Sequence, residues 1–138
     1  MAGFHFRYRL SGGAPTIQTV KSKDTETLTK GDMLNLETGE VDLGATADTT
    51  FVGVCLATYS AVDSTTDIAF IADDDAVYGV TDANARLKGA TLDLAGATGA
   101  QGVAASSNKE FVVQAPSSAT EETLVRFNIG KHVDNKAL

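Results

Sequence analysis

The chain has one cysteine, Cys55, so an intrachain disulfide is excluded. It has no tryptophan, two prolines and few aromatics. That argues against a stacking platform for sugars. It contains no run of about 18 apolar residues, so no membrane span is expected. Arg7 and Arg9 interrupt the apolar h-region that a signal peptide needs, so a reducing cytoplasm, or a particle assembled there, is the expected compartment. Basic residues are in the minority, 11 against 18 acids. Four of them, Arg7, Arg9, Lys21 and Lys23, lie in residues 1–23, which hold no acid. This basic beginning on an acidic body raises the question of nucleic acid, but four charges give only weak, salt-sensitive phosphate binding. No nucleic-acid partner is expected.

What is present is β chemistry. At 138 residues the chain is the size of one domain, able to bury roughly two thirds of its unfolded surface. Alanine, glycine, threonine and aspartate are abundant, and short apolar runs recur between turn residues. MLNLETGEVDLG (33–44) reads as a hairpin about Thr38-Gly39. FVGVCLATY (51–59) is a nearly continuous apolar run, expected of a central strand covered on both faces, with Cys55 as a core residue. AVDSTTD (61–67) reads as a polar turn. DIAFIADDDAVYGV (67–80) looks like a second hairpin with Asp73-Asp74-Asp75 at its tip. TDANARLKG (81–89) fits one helical turn or an extended passage, GATLDL (89–94) alternates, and EFVVQ (110–114) and TLVRFNIG (123–130) close the series. In the last of these, Leu124, Phe127 and Ile129 are the expected core positions, with Val125 and Arg126 facing outward. Seven or eight short strands at this spacing indicate an all-β barrel or sandwich with at most one short helix. The tail KHVDNKAL (131–138) is expected to be mobile or packed on a neighbour.

The start of the chain is unusual. In FHFRYR (4–9) an extended strand carries Phe4, Phe6 and Tyr8 on one side and His5, Arg7 and Arg9 on the other. SGGAP (11–15) follows, where Gly12 and Gly13 loosen the backbone and Pro15 disfavours helix before it. Residues 1–15 therefore read as an extended arm and joint, 16–131 as the β body, and 132–138 as a tail.

No catalytic constellation stands out. GATGAQG (96–102) lacks the following GK[ST] of a phosphate-cradling loop, so Gly96, Gly99 and Gly102 read as turn glycines. Consecutive aspartates 73–75 do not have the alternating ligands of a calcium loop. His5 and His132 lie near opposite ends of the sequence and Cys55 in a core strand, so no metal set and no nucleophile–histidine triad is expected. Glu121-Glu122 sit in a polar link. No enzyme activity and no cofactor are expected.

Taken together, TLTKGDMLNLETGEV, FVGVCLAT, DIAFIADDDAVYGV, LKGATLDLAGATGAQGV and EFVVQAPSSATEETLVRFNIG resemble the small head decoration, or capsid cement, proteins of tailed bacteriophages. The resemblance covers about residues 28–130. It implies a small β-barrel or β-tulip-like body, commonly a homotrimer, on the outer surface of the virion capsid. There such proteins clamp neighbouring major capsid proteins and stabilise the expanded head. It further implies an N-terminal arm that docks on the capsid protein by β-augmentation, here Phe4, His5, Phe6, Arg7, Tyr8 and Arg9, hinged at Gly12, Gly13 and Pro15. The alternative is a small receptor- or glycan-binding module whose pocket lies at the loops near 44–50 and 95–108.

Overall fold

A computed structural model describes residues 2–23, 26–60, 65–105 and 107–134. The expected polar turn at 61–67 and the tail at 131–138 lie partly outside these. Among the described residues there are eleven strands: β1 (Phe4–Arg9), β2 (Ile17–Lys21), β3 (Met33–Glu37), β4 (Glu40–Leu43), β5 (Phe51–Cys55), β6 (Asp67–Ile71), β7 (Ala76–Thr81), β8 (Thr91–Ala95), β9 (Gly102–Ala105), β10 (Phe111–Val113) and β11 (Glu122–Phe127). The described residues contain no helix, so the passage 81–89 is extended and turned. The fold is all-β, as the strand rhythm indicated. It is not a closed barrel: the strands form a six-stranded sheet, β1-β7-β11-β10-β8-β9, and a five-stranded sheet, β2-β6-β5-β3-β4, both antiparallel.

The five-stranded sheet curls strongly. Its two edges meet at one bridge just beyond β2, where Ser22 pairs with Val41 of β4 and the Lys23 amide donates to the Val41 carbonyl. Two cores result. One lies between the sheets and holds Phe4, Met33, Phe51, Val54, Tyr78, Phe111 and Phe127. The other fills the concave side of the curled sheet with Leu28, Leu34, Val41, Val52, Ile68 and Phe70. The FVGVC run of β5 serves both. Across from it, Leu34 opposes Gly53 and Asn35 opposes Phe51, so Val52 is an inserted residue and the alternation shifts there. Phe51 and Val54 then face the inter-sheet core, while Val52 and Cys55 face the other.

The β3–β4 hairpin forms as read. Thr38 (φ 47°) and Gly39 (φ 83°) make a two-residue turn with both residues left-handed, the twist that suits paired strands. The second expected hairpin does not form. β6 and β7 both exist, but β6 pairs in the five-stranded sheet and β7 in the six-stranded one, so residues 72–75 arch between sheets. Periodicity cannot distinguish an arch from a hairpin, because both reverse an apolar run at a polar turn.

In the last strand Phe127 is a core residue as expected, but Val125 rather than Leu124 joins it. Thr123, Val125 and Phe127 point inward and Leu124 is half-buried. Ile129 lies past the strand and is 77% exposed. Because side chains alternate strictly, Leu124 cannot share a face with Phe127. Residues 131–134 are not a loose tail. The Phe51 amide donates to the Lys131 carbonyl, the Val133 amide donates to the Phe51 carbonyl, and His132 is fully buried against Phe127. Residues 135–138 lie outside the described part.

Candidate docking edge

Residues 4–9 are not a detached arm in this chain. They form β1, the edge strand of the six-stranded sheet, paired with β7 from Phe4↔Val80 to Arg9↔Ala76. The hydrophobic face of the ribbon explains this only in part. Phe4 is buried, its ring 5.3 Å from Phe111 and 6.4 Å from Tyr78, and Phe6 meets Tyr78 edge-on at 6.4 Å. A bulge between Phe6 and Tyr8 then breaks the alternation, so Tyr8 does not follow them and is 41% exposed.

The basic residues of the ribbon find acids within their own chain. Arg7 makes two hydrogen bonds to the Glu122 carboxylate, at 2.6 and 2.7 Å, and holds that carboxyl below its ordinary range. The Arg9 guanidinium lies 2.9 Å from Asp75 and 3.5 Å from Asp73. The Ser11 amide and hydroxyl donate to Asp75, and the Thr16 amide donates to Asp73. Against the cost of partial burial, the Ser11 and Arg9 hydrogen bonds hold the Asp75 carboxyl low. Two aspartates of the acidic turn are thus receptors for the end of β1 rather than free charges at a tip. Gly12 (φ 80°) and Gly13 (φ 86°) shape the exposed turn that leads to β2. Pro15 is partly exposed in the same connection, and His5 is half-buried on β1.

Beyond β1 lies a groove of about 300 Å³. One wall is β1 itself, from Phe4 to Arg7. The other is Val54, Cys55 and Leu56 with Ile71. Lys30 and Gly31 close one end. Gly31 bridges the two walls through its main chain. Its carbonyl accepts from the Phe4 amide at 2.8 Å and its amide donates to the Cys55 carbonyl at 2.9 Å. Cys55 is structural here: burial pushes its thiol up to about 11, and Sγ donates to the Ala57 carbonyl.

The corner that supplies Gly31 is tied to the glycine-rich loop. Asp32 accepts from the amides of Thr29 and Gly99, at 2.8 and 3.0 Å, and from the Thr98 hydroxyl. Gln101 is buried, receives the Met33 amide at 2.6 Å and donates to the Gly44 carbonyl. The donors of this loop are therefore turned to a carboxylate of the same chain. Sequence reasoning singled out both segments but had no signal that they meet.

The two loops of the alternative reading also join each other. Thr46 donates to Glu110, and Asn108 donates to Thr46. Asp93, buried in β8, accepts from the amides of Ser107, Asn108 and Lys109. Against the cost of burial, those amides hold its carboxyl low. Among the described residues, no group of three or more His, Cys, Asp or Glu side chains converges as a metal site. His132 is a core residue. Its Nδ1 accepts the Asp134 amide, so Nε2 carries the proton and donates to Val52, and burial lowers its pKa.

One ionisable group outside the edge has a measurable consequence. Asp42 on β4 is 15% exposed, and burial together with the neighbouring Glu37 carboxylate pushes its carboxyl up to about 7. In the unfolded chain the value is about 3.9. The folded state therefore holds a proton that the unfolded state releases between these values. Stability from this group is complete below pH 4 and is lost as pH rises through 7. Asp42→Asn removes that loss. It is expected to stabilise the protein by about 1–2 kcal/mol at pH 8, after allowance for solvent and Lys23, and to change nothing at pH 4. Urea unfolding at the two pH values checks this.

No protein-family model matches the sequence, and no curated protein shows significant similarity to it.

Proposed function

We propose that the chain is a non-enzymatic structural protein that decorates the outer surface of a tailed-phage capsid, made in the host cytoplasm and carried on the virion. In this reading it acts as a homotrimer, clamps neighbouring major capsid proteins and stabilises the expanded head. The observation that carries the reading is the open edge of β1 beside a groove: a surface suited to main-chain pairing with another protein. The resemblance over residues 28–130 supports it, since the KGD corner and the glycine-rich loop belong to one hydrogen-bonded unit next to that groove. Docking through residues 4–9 uses their outer edge together with His5, Phe6, Arg7 and Tyr8, because the Phe4 ring is committed to the core.

Sedimentation with phage heads tests the proposal. The protein is expected to pellet with expanded heads and to remain in the supernatant with unexpanded precursors. Equal recovery with both, or with neither, would falsify the cement role. Light scattering on the free protein and on protein released from heads reads the trimer separately.

A further inference from the structure

The groove has the form of a place for one more strand. Gly31 occupies that place for a single residue, accepting from β1 on one side and donating to the residue after Val54 on the other. Asp32 stays beside β5, its carbonyl accepting from the Cys55 amide at 2.8 Å, while Lys30 on the other side turns away at the corner held by the Asp32 carboxylate. One step further along β1 the position is empty. In an antiparallel ladder, alternate residues turn their N–H and C=O to the same side. The Phe4 amide points outward to Gly31, so Phe6 presents its main-chain groups to the groove as well. Among the described residues no partner for them is found there. The opposite wall, Val54, Leu56 and Ile71, is apolar.

The rim of the groove has one sign of charge. Lys30 and Arg7 line it with His5, and no acid lines it, on a chain of net charge −7. Arg7 is already paired with Glu122, which leaves the exposed Lys30 as the cation best placed to meet a partner.

We propose that this groove receives an extended segment of a partner protein as an added strand along β1, with apolar side chains on the Val54–Leu56–Ile71 wall and a carboxylate toward Lys30. Here the chain is the acceptor of a strand, not only the owner of an arm. The bulge after Phe6 ends the regular ladder, so pairing is short, about three or four residues, and a single site is weak. Repeated copies on one assembly then supply avidity. Only the identity of the partner rests on the capsid reading. The slot is a property of the free protein.

A peptide titration followed by backbone NMR tests it. The probes are end-capped octapeptides of alternating valine and glutamate, and of alternating valine and lysine. The expected result is saturable shifts at the Phe6, Val54 and Leu56 amides with the acidic peptide, and binding about fivefold or more weaker with the basic one. The Phe6 amide should exchange with solvent more slowly in the bound state. Lys30→Glu, a change at an exposed corner whose fold the same spectra report, should reverse the preference. No shifts at millimolar peptide, shifts confined to the β2 or β9 edges, or equal affinity for the two peptides would overturn the slot. A chain that binds the acidic peptide but not heads keeps the slot and loses the capsid reading, so the two failures are distinguishable.

Discussion

Gly53→Ala is expected to destabilise the protein by about 4 kcal/mol or more, which takes most of the margin of a typical domain. Two costs combine at this position. The residue has φ 142°, a conformation that L side chains rarely adopt. A Cβ built there lies inside the envelope of the Ile71 carbonyl oxygen on β6, and a backbone atom in a central sheet cannot swing aside as a side-chain tip can. The bulge that places Phe51 and Val54 on one core and Val52 and Cys55 on the other depends on this close approach. Gly12→Ala is the control. It also has positive φ, but open space surrounds it, so a loss of about 1 kcal/mol or less is expected. Urea midpoints for the two variants, read against wild type, check the contrast. Near-equal midpoints would mean that β5 and β6 are not packed as described.

Phe4→Ala is expected to cost about 3–5 kcal/mol, the range for removing a buried phenylalanine. Its ring contacts Phe111 and Tyr78 in the inter-sheet core, and the edge strand that carries it covers one side of β7. Tyr8→Ala, four residues along the same strand, is expected to change stability by less than about 1 kcal/mol because Tyr8 is largely solvent-facing. The pair separates two descriptions of the first fifteen residues. A detached arm predicts no stability effect from either change. A strand of the body predicts a large effect at Phe4 and almost none at Tyr8. Removal of residues 1–9 should then unfold the body or expose its aromatic core to dye binding. It is therefore a poor way to test capsid docking; substitutions at Lys30 serve better.

Much of the fold was legible in the residues. Alternation identified β3, β4 and β8, turn chemistry located Thr38-Gly39, and the unbroken run at 51–55 marked a strand covered on both faces. Two of the errors share a cause. The arch at 72–75 and the place of β1 are questions of which neighbour a strand takes, and alternation within a strand does not contain that information. The charge pattern was similar. Arg7 and Arg9 stood out as unmatched near the start of the chain, but their acids, Glu122 and Asp75, are more than 60 residues away in sequence. The groove was invisible for the same reason, since its walls come from residues 4–7, 30–31, 54–56 and 71.

The sequence by itself determined that this is an all-β chain of short strands, with turns placed by Gly, Asp and Thr, because side-chain period and turn preference act over a few neighbouring residues. Only the tertiary structure decided that the first strand belongs to the body, that one sheet curls about a second core, and that an unfilled strand position remains beside Phe6. Those outcomes depend on hydrogen bonds and close contacts between segments distant in the chain, such as Phe4 to Gly31 and Gly53 to Ile71, whose geometry exists only once both sheets are in place.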